Sequence, residues 1–437
     1  MKKYKLNKIL IGGNSSKNIC SDFPELPSIV VDEKNEFDRI VAIGDIHGDL
    51  DLAIDCLIVT GIIEKINSNN SDSVKLTDSV KLIYKDDSIH YYKWVAKRTV
   101  VVQVGDQVDR CRPTKHECTH PDETVNDEAS DIKILFFFHD LHLLALKKGC
   151  RLFSLLGNHE LLNVLGNLKY VSYKGLEEFR ENDEKDLLKG RQKAFDLNSD
   201  KLAYKNKVNL ANFLACSRLS AIIVKSYLFV HAGILDKLIN KSISEDNNIS
   251  DDLEISDEIN ISESITRTNY KSEFSETIKV NRKKNKVKKS LQSIEIINKT
   301  VQSWLLGAIN ANDNKFVNQL LAGRELSPFW PRIFGNLPSD IPLDNEICQK
   351  HVQPVLNLLD LKGLVVGHTP QLKMNINSTC SDTVWRVDVA GSQAFEKVIY
   401  LNEHNRHEIM EGRKPQGLEI ILGKNGQPDK FNVLKMK

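Results

Sequence analysis

The stretch Val100-Val-Val-Gln-Val104 runs directly into Gly105-Asp106-Gln107-Val108-Asp109-Arg110, and this junction is the most informative part of the sequence. The first half is a run of β-branched residues, which is typical of a buried strand. The second half is polar and begins with glycine, which lets the backbone turn sharply. The same arrangement, an apolar run that ends in a polar motif containing glycine, occurs four more times.

The other four motifs also follow strand-like runs. They are Gly44-Asp45-Ile46-His47-Gly48, Gly157-Asn158-His159-Glu160, His231-Ala232-Gly233 and Gly367-His368-Thr369-Pro370. In α/β sheets, ligands bind beyond the carboxyl ends of strands, where such loops converge. The motifs offer oxygen and imidazole donors without thiolates, a set that suits divalent ions such as manganese, iron, nickel or zinc. A single Asp-x-His is common by chance, but five such motifs in this order indicate a metal site.

Strand-like and helix-like segments alternate early and strands crowd together late, which predicts an α/β fold with mixed sheets. The predicted strands are 39–43, 99–104, 151–156, 220–224, 227–231, 364–367, 384–389, 397–401 and 418–422. The predicted helices are 50–59, 130–147, 176–180, 207–215 and 294–310.

We predict three regions: an N-terminal arm over 1–38, a catalytic domain over 39–424 and a C-terminal tail over 425–437. Two polar insertions, at about 67–88 and 236–291, interrupt the catalytic domain.

Both insertions are defined by their composition. The first contains the repeated pentapeptide Asp-Ser-Val-Lys-Leu, which is too short for a repeat fold and favours a hairpin or loop. The second is acidic from Glu245 to Glu276 and basic from Lys279 to Lys289, a pattern typical of mobile or disordered segments. The basic block leaves a nuclear-targeting or nucleic-acid patch open as an alternative to a solvated loop.

The bulk composition excludes several classes of protein. Sixty basic and 59 acidic side chains give a net charge of +1, so no overall attraction to nucleic acid is expected. No apolar run approaches the ~18 residues that a membrane span needs. The eight cysteines include no CxxC pair, which predicts reduced thiols and an intracellular, cytoplasmic protein.

A cluster of Cys111, His116, Cys118 and His120 raises the question of a second metal site. The spacing C-x4-H-x-C-x-H matches no common structural zinc pattern. A loop at the rim of the active site is favoured, because the cluster directly follows Asp109 and Arg110. A zinc site remains the alternative.

The order of the five motifs resembles that of the calcineurin-like metallophosphoesterases and, within them, the phosphoprotein phosphatase family. Three further segments resemble its Shewanella-like (bacterial-like) branch: Gly190–Phe195, Ser327–Arg332 and Arg386–Phe395. The resemblance covers roughly residues 39–400 without the insertions. It implies a four-layered α-β-β-α sandwich of mixed sheets flanked by helices.

The resemblance also implies a role for each matching residue. Two divalent ions (manganese, iron or zinc) are implied, with Asp45 and His47 on one ion, Asp106 as the bridge, and Asn158, His231 and His368 on the other. His159 is implied as the general acid, with Asp109 orienting it. Arg110 and Arg332 are implied as ligands of the substrate phosphate.

Ordinary structural roles compete with some of these assignments. His231 and His368, taken alone, read as core histidines, although each follows an apolar strand in the right motif. His159 is open to a role as a metal ligand. Arg332 lies in a segment with two prolines and a tryptophan, so a buried, salt-bridged arginine remains an equal alternative.

The resemblance implies a metal-dependent phosphoprotein phosphatase, in which a metal-bridging hydroxide attacks phosphoserine, phosphothreonine or phosphotyrosine in line. A phosphoprotein or phosphopeptide is therefore the expected partner. One alternative is a diadenosine tetraphosphate-type hydrolase, disfavoured because Glu160 and Cys111 depart from that family's GNHD and DRGP patterns. The other is an inactive binding module, disfavoured because no implied ligand is missing. Cys111 also replaces the usual glycine, and Ala232 makes the fourth motif HAG instead of HGG.

Overall fold

The computed structural model describes residues 19–436 apart from 33, 67–77, 85–87, 181–185, 198–208, 251–270, 323–324, 373–374, 397, 402–406 and 411. For 246–250, 271–286 and 400–401 it describes the backbone alone.

The described residues form strands and helices of the α/β class. The strands are β1 (Ile29–Val30), β2 (Arg39–Ile43), β3 (Ile63–Lys65), β4 (Ser79–Ile83), β5 (Ile89–Trp94), β6 (Thr99–Gln103), β7 (Arg151–Ser154), β8 (Ala221–Val224), β9 (Tyr227–Val230), β10 (Gly363–Val366), β11 (Asn377–Thr379), β12 (Val384–Arg386), β13 (Ile399–Leu401), β14 (His407–Ile409), β15 (Gln416–Ile421) and β16 (Lys430–Lys435). The helices are α1 (Leu50–Val59), α2 (Asp131–Lys147), α3 (Asn158–Val164), α4 (Tyr173–Glu177), α5 (Leu187–Phe195), α6 (Leu210–Ser217), α7 (Asp236–Ser250), α8 (Lys271–Leu305), α9 (Lys315–Leu321), α10 (Glu346–His351) and α11 (Gln353–Leu359).

Two mixed sheets form the centre of the fold. One has the strand order β1-β8-β9-β10-β12-β11 and the other the order β16-β15-β2-β6-β7. Strands β2, β6 and β7 are parallel, and so are β9, β10 and β12. The five chemical motifs therefore leave the carboxyl ends of parallel strands, as the sequence pattern predicts.

The apolar strands place side chains in three layers of core. On β2, Ile40 and Ala42 pack between the two sheets, whereas Val41 packs on the opposite face beneath α1 and α2. On β9, Phe229 faces the space between the sheets, and Leu228 faces the other helical layer. Because both faces of each sheet are covered, these strands are continuously apolar. The four-layered α-β-β-α sandwich of mixed sheets is confirmed.

The first insertion contributes one strand to a small separate sheet, and the segments that flank it contribute the other two. Strands β4 and β5 pair antiparallel, and β3 joins the other edge of β5. Only β4 lies within the predicted insertion, and its hairpin partner β5 lies just after it, while residues 67–77 of the insertion lie outside the described residues.

The prediction of a mobile or disordered segment over 236–291 is wrong for its described parts, which are helical in α7 and α8. The apolar residues are few, but they are spaced so that one face of each helix reaches the core. Leu238 and Ile239 of α7 pack in the same cluster as Ile294 and Ile297 of α8. Residues 251–270, the centre of the insertion, lie outside the described residues.

The prediction of reduced thiols is also wrong, because six of the eight cysteines form disulfides. The pairs are Cys20–Cys216, Cys111–Cys118 and Cys348–Cys380, whereas Cys56 and Cys150 are free and buried. The partners are 196, 7 and 32 residues apart, and such spacings alone do not reveal proximity in space. Disulfides persist mainly in oxidising compartments, so the cysteines no longer support the cytoplasmic location, which stays a prediction.

The disulfide between Cys111 and Cys118 also removes the zinc alternative for this loop, because a metal-binding thiolate must be free.

The division at residues 38 and 424 stays a prediction, but both flanking segments contribute strands. β1 pairs with β8, and β16 pairs with β15 at the edge of the second sheet. Among the described helices, none combines the length and the apolar character needed to cross a membrane.

Candidate metal centre

Six predicted ligands converge where the parallel strands end. Two triads of donor atoms form there, with all atoms of a triad within 4.8 Å of one another: His47, Asp106 and His159 in one, and Asp106, His231 and His368 in the other. Asp106 belongs to both triads. The side chains are nearly or fully buried, so bulk water screens their charges little.

Asp106 lies at the centre of the donor set. Its Oδ2 is 3.3 Å from Nε2 of His231 and 3.8 Å from Nε2 of His47, and its Oδ1 accepts the backbone N–H of His159 over 2.9 Å. Burial acts to raise the pKa of Asp106, but His231, His159 and His47 outweigh it, and the pKa lies well below its usual value. A carboxylate held ionised between two groups of imidazoles has the chemistry of a bridging ligand.

Backbone carbonyls orient the two histidines of the second triad. Nδ1 of His231 donates to Val104 O over 2.9 Å, which leaves Nε2 facing Asp106 and Asn158. Nε2 of His368 lies 3.0 Å from Trp330 O, which leaves Nδ1 at 2.8 Å from Oδ1 of Asn158. Each ring thus turns its other nitrogen toward the same oxygen, Oδ1 of Asn158, as two ligands of one ion require.

Asp45 lies at the edge of the first triad. Its Oδ2 is 3.9 Å from Nε2 of His47, and its carboxylate accepts the backbone N–H of His368. Burial, then Asp388 and Asp106, raise the pKa of Asp45 well above its usual value. A buried cluster of carboxylates is costly without a compensating cation, so the donor set fits divalent metal ions.

Glycines and strained backbone allow this close approach. A Cβ on Gly157 would lie 2.1 Å from Oδ1 of Asp106, and one on Gly367 would lie 2.3 Å from Oδ1 of Asp45. Asp106 and His368 themselves have φ values of 50° and 65°, which non-glycine residues rarely adopt. Such conformations cluster at functional sites, where the surrounding structure holds them in place.

Glu160 holds the second and third motifs together. Its carboxylate accepts the backbone N–H groups of Gly157, Asp106 and Gln107 at 2.6, 3.0 and 2.7 Å. This explains a glutamate at this position, to which we assigned no role from the sequence. The capping of the α3 N-terminus and the placement of Asp106 therefore depend on one side chain.

His159, a member of the first triad, forms a buried pair with Asp109. Nδ1 of His159 lies 2.8 Å from Oδ2 of Asp109, whose Oδ1 accepts from Nδ2 of Asn163 over 2.8 Å. Arg191, from the segment Gly190–Phe195, donates to the same Oδ1 over 3.2 Å. We assigned no role to Asn163 or Arg191 from the sequence, although Arg191 lies in a segment that carries the family resemblance.

The two predicted phosphate ligands have different surroundings. Arg332 is exposed and donates to the carbonyl oxygen of His368 over 3.0 Å, so the alternative of a buried, salt-bridged arginine is wrong. Arg110 is only 2% exposed and contacts Asp49 and Glu128 instead of the metal donors. Arg112, which the sequence analysis did not single out, lies at His47 instead.

Asp388 is a further acidic residue near the donors. It is 2% exposed, and its Oδ2 has no hydrogen-bond partner among the described residues. Burial and the negative charge of Asp106 together raise its pKa to about 6, although the backbone N–H of Ala390 acts to lower it. Its segment carries the family resemblance, but no metal-binding pattern marks the residue itself.

Comparison with known proteins gives a match to one family profile and to several individual proteins. The profile of the calcineurin-like phosphoesterase family matches residues 38–291. The uncharacterized protein R398 of Acanthamoeba polyphaga mimivirus is 28% identical over 301 residues, which cover 66% of this chain and 99% of that protein. Shewanella-like protein phosphatase 2 of Arabidopsis thaliana is 32% identical over 143 residues, which cover 33% of this chain and only 26% of the plant protein. The solved structure of a cold-active protein-tyrosine phosphatase from a psychrophilic Shewanella species aligns over 96% of this chain and 85% of that one, with 15% identity and a TM-score of 0.49.

Proposed function

Since the chain belongs to the calcineurin-like phosphoesterase family, we propose that it is a metal-dependent phosphoprotein phosphatase acting on phosphoserine, phosphothreonine or phosphotyrosine. The observation that carries the proposal is the position of Asp106, which belongs to both donor triads. A shared carboxylate is what a two-metal site needs, because it keeps the ions close enough to act on one phosphate.

The donor set indicates where two ions would bind. Asp45, His47 and Asp106 would hold one ion, and Asp106 with Asn158, His231 and His368 would hold the other. When bound, such ions supply Lewis-acid stabilisation of the phosphate and an activated water molecule. Manganese, iron and zinc all accept oxygen and imidazole ligands, so the donor chemistry does not choose among them.

His159 supports proton transfer to the leaving group. Oδ2 of Asp109 accepts the Nδ1 proton, so Nε2 is the nitrogen that presents a proton toward the metal donors. Asp109 also stabilises the positively charged ring by its own negative charge. An alkoxide leaving group, such as that of serine or threonine, needs this proton because it is a strong base.

Arg332 supports phosphate binding from the opposite side of the site. Its guanidinium is exposed and anchored by one N–H to the carbonyl oxygen of His368, so its other N–H groups are free to face solvent. A planar guanidinium binds two phosphate oxygens at once. All of the implied ligands are present and close together, which favours an enzyme over a binding module.

A substrate panel tests this proposal. The purified protein with Mn²⁺ is given a phosphotyrosine peptide, a phosphothreonine peptide or diadenosine tetraphosphate, and initial rates are compared. We expect release of phosphate from at least one peptide at a rate that exceeds hydrolysis of the dinucleotide. Hydrolysis of the dinucleotide alone would assign the protein to nucleotide hydrolysis, and no hydrolysis with two bound metals would favour a binding module.

A further inference from the structure

Arg110, the arginine that the family resemblance assigns to phosphate, binds other groups through both of its terminal nitrogens, while its Nε has no hydrogen-bond partner among the described residues. Its Nη1 donates to Gly48 O over 3.0 Å and its Nη2 donates to Asn126 O over 3.0 Å. Its guanidinium also pairs with Asp49 at 3.5 Å and Glu128 at 3.3 Å. A phosphate would have to displace two carboxylates from a side chain that is only 2% exposed, and breaking such a buried pair is unfavourable.

The guanidinium of Arg112 lies at the metal centre instead. Its Nη2 is 2.9 Å from both ring nitrogens of His47, and its Nη1 donates to the carbonyl oxygens of Asp109 and Cys111 over 3.1 and 2.8 Å. The side chain is partly exposed, so a substrate can reach it. Among the described residues, no carboxylate forms an ion pair with Arg112, and its charge is available to an anion.

Two aromatic rings and a disulfide fix this position. The guanidinium lies 4.8 Å from the ring centre of Phe395 and 5.4 Å from that of Tyr170, as in cation–π contacts. The residue before it, Cys111, is bonded to Cys118 and donates its backbone N–H to Tyr170 O over 3.0 Å. The Tyr170 ring in turn contacts the ring of His159, at 5.1 Å between centres.

Arg112 therefore contacts a proposed metal ligand, His47, and packs on the Tyr170 ring that also contacts the proposed general acid, His159. The phosphate that the metal ions would hold carries non-bridging oxygens, which accept hydrogen bonds from guanidinium groups. Arginine suits this position because its planar N–H groups bind two such oxygens at once.

We propose that Arg112, and not Arg110, binds the non-bridging oxygens of the substrate phosphate. The inference rests on the proposed phosphatase function. It assigns Arg110 to holding the turn at Gly48 together with Asp49 and Glu128. Cys111 then has a definite role, because its disulfide carries the arginine next to it into the site.

Binding of inorganic phosphate tests the assignment without turnover. Isothermal titration calorimetry measures the Kd of orthophosphate for the Mn²⁺-loaded full chain, with metal content checked in each sample. We expect Arg112→Met to weaken phosphate binding by about 10-fold or more, since hydrogen bonds to charged groups contribute ~1.5–3 kcal/mol. Arg112→Lys keeps the charge but not the planar geometry, so an intermediate loss is expected.

The matched comparison is Arg110→Met, with Arg110→Lys in reserve if the first variant does not fold. The Arg110 variants are expected to lower the midpoint of thermal unfolding more than the Arg112 variants do. Below that midpoint, the folded Arg110 variants are expected to bind phosphate more tightly than Arg112→Met does. A larger loss of phosphate affinity in the Arg110 variants, or an Arg112→Met value within about twofold of wild type, would overturn the assignment.

The result also separates this assignment from the function on which it rests. If the wild-type protein hydrolyses phosphopeptides and Arg112→Met leaves the Kd for orthophosphate unchanged, the role of Arg112 alone is refuted. A wild-type protein with two metals that neither binds phosphate nor hydrolyses a monoester would refute both.

Discussion

Arg191 reaches the carboxylate of Asp109 over 3.2 Å, on the oxygen opposite the one that contacts His159. The same guanidinium donates to Asp131 over 2.7 Å and to Asn163 over 2.7 Å, and its side chain is fully buried. Arg191 thus orients Asp109 through its Oδ1, and Asp109 orients the imidazole of His159 through its Oδ2. This makes Arg191 a positioning residue for proton transfer.

Replacing Arg191 by lysine should therefore impair substrates with poor leaving groups most. A lysine cannot make the same set of hydrogen bonds from one plane, so Asp109 and His159 lose their alignment. We expect kcat for phenyl phosphate to fall about 10-fold more than kcat for p-nitrophenyl phosphate, whose leaving group needs little protonation. The measurement is the ratio of the two kcat values.

Arg218→Lys is the matched control for this prediction, because Arg218 is another buried arginine, held by Gln107 and Leu135 O instead of Asp109. The ratio should stay near the wild-type value in Arg218→Lys. In a His159→Asn background, Arg191→Lys should not change the ratio further. Arg191 would have a merely structural role if Arg191→Lys lowered kcat equally for the two substrates, or if its effect added fully to that of His159→Asn.

His159→Asn should lower turnover by about 10²- to 10⁴-fold while both metal ions remain bound. The alternative role, that of a metal ligand, needs this test because His159 also belongs to the first donor triad. Its Nε2 is 3.9 Å from Oδ2 of Asp106, and its Nδ1 is engaged by Asp109. Elemental analysis after gel filtration in Mn²⁺ decides between the two roles. Loss of a metal ion from His159→Asn would make His159 a ligand and contradict the assignment as general acid.

The disulfides predict a definite number of reactive thiols. Protein purified without reductant and then denatured should expose two thiols to a thiol reagent, those of Cys56 and Cys150. After reduction the number should be eight. A count near eight before reduction would restore the expectation of an intracellular, reduced protein.

Glu178 predicts a fall in stability as the pH rises. Burial, then Asp131, raise its pKa to about 8, against about 4.3–4.5 in an unfolded chain. The folded state therefore holds a proton that the unfolded state has lost between these values. The contribution to stability is complete below the unfolded pKa and is lost as the pH rises toward 8.

Urea unfolding of the chelator-treated protein at pH 6 and pH 8 measures this effect. Glu178→Gln should reduce the loss of stability between the two values, because glutamine does not titrate. Glu177→Gln is the neighbouring control, since Glu177 pairs with Arg180 at the surface. An identical pH dependence in wild type and Glu178→Gln would exclude Glu178 as the source.

The sequence predicted the strands that carry the five motifs and the side chains that meet at the candidate metal centre. Each donor follows a short strand that is largely apolar, and β2, β6, β9 and β10 lie within a residue or two of their predicted bounds. These strands are buried on both faces, so local composition and tertiary environment favour the same structure.

The features that the sequence did not predict depend on contacts between distant residues. Arg110 lies away from the metal donors because it pairs with Asp49 and Glu128, which lie outside the motif Gly105–Arg110. Arg112 contacts His47 instead. The disulfide of Cys20 with Cys216 joins residues that no local pattern connects. Helix α7 and the part of α8 before the predicted helix 294–310 were missed because their few apolar residues are diluted by charge, and only the packed core shows that Leu238 and Ile239 belong to it.

Phosphate release by the wild-type protein and by Asp106→Asn is the most direct test of the two-metal site. Both proteins are assayed on phosphotyrosine and phosphothreonine peptides with Mn²⁺ and with a chelator, and bound manganese is counted in each. We predict Mn²⁺-dependent release by wild type with two ions per chain, and loss of both release and at least one ion in Asp106→Asn. Equal release by the two proteins, or release that survives removal of all metal, would contradict the account.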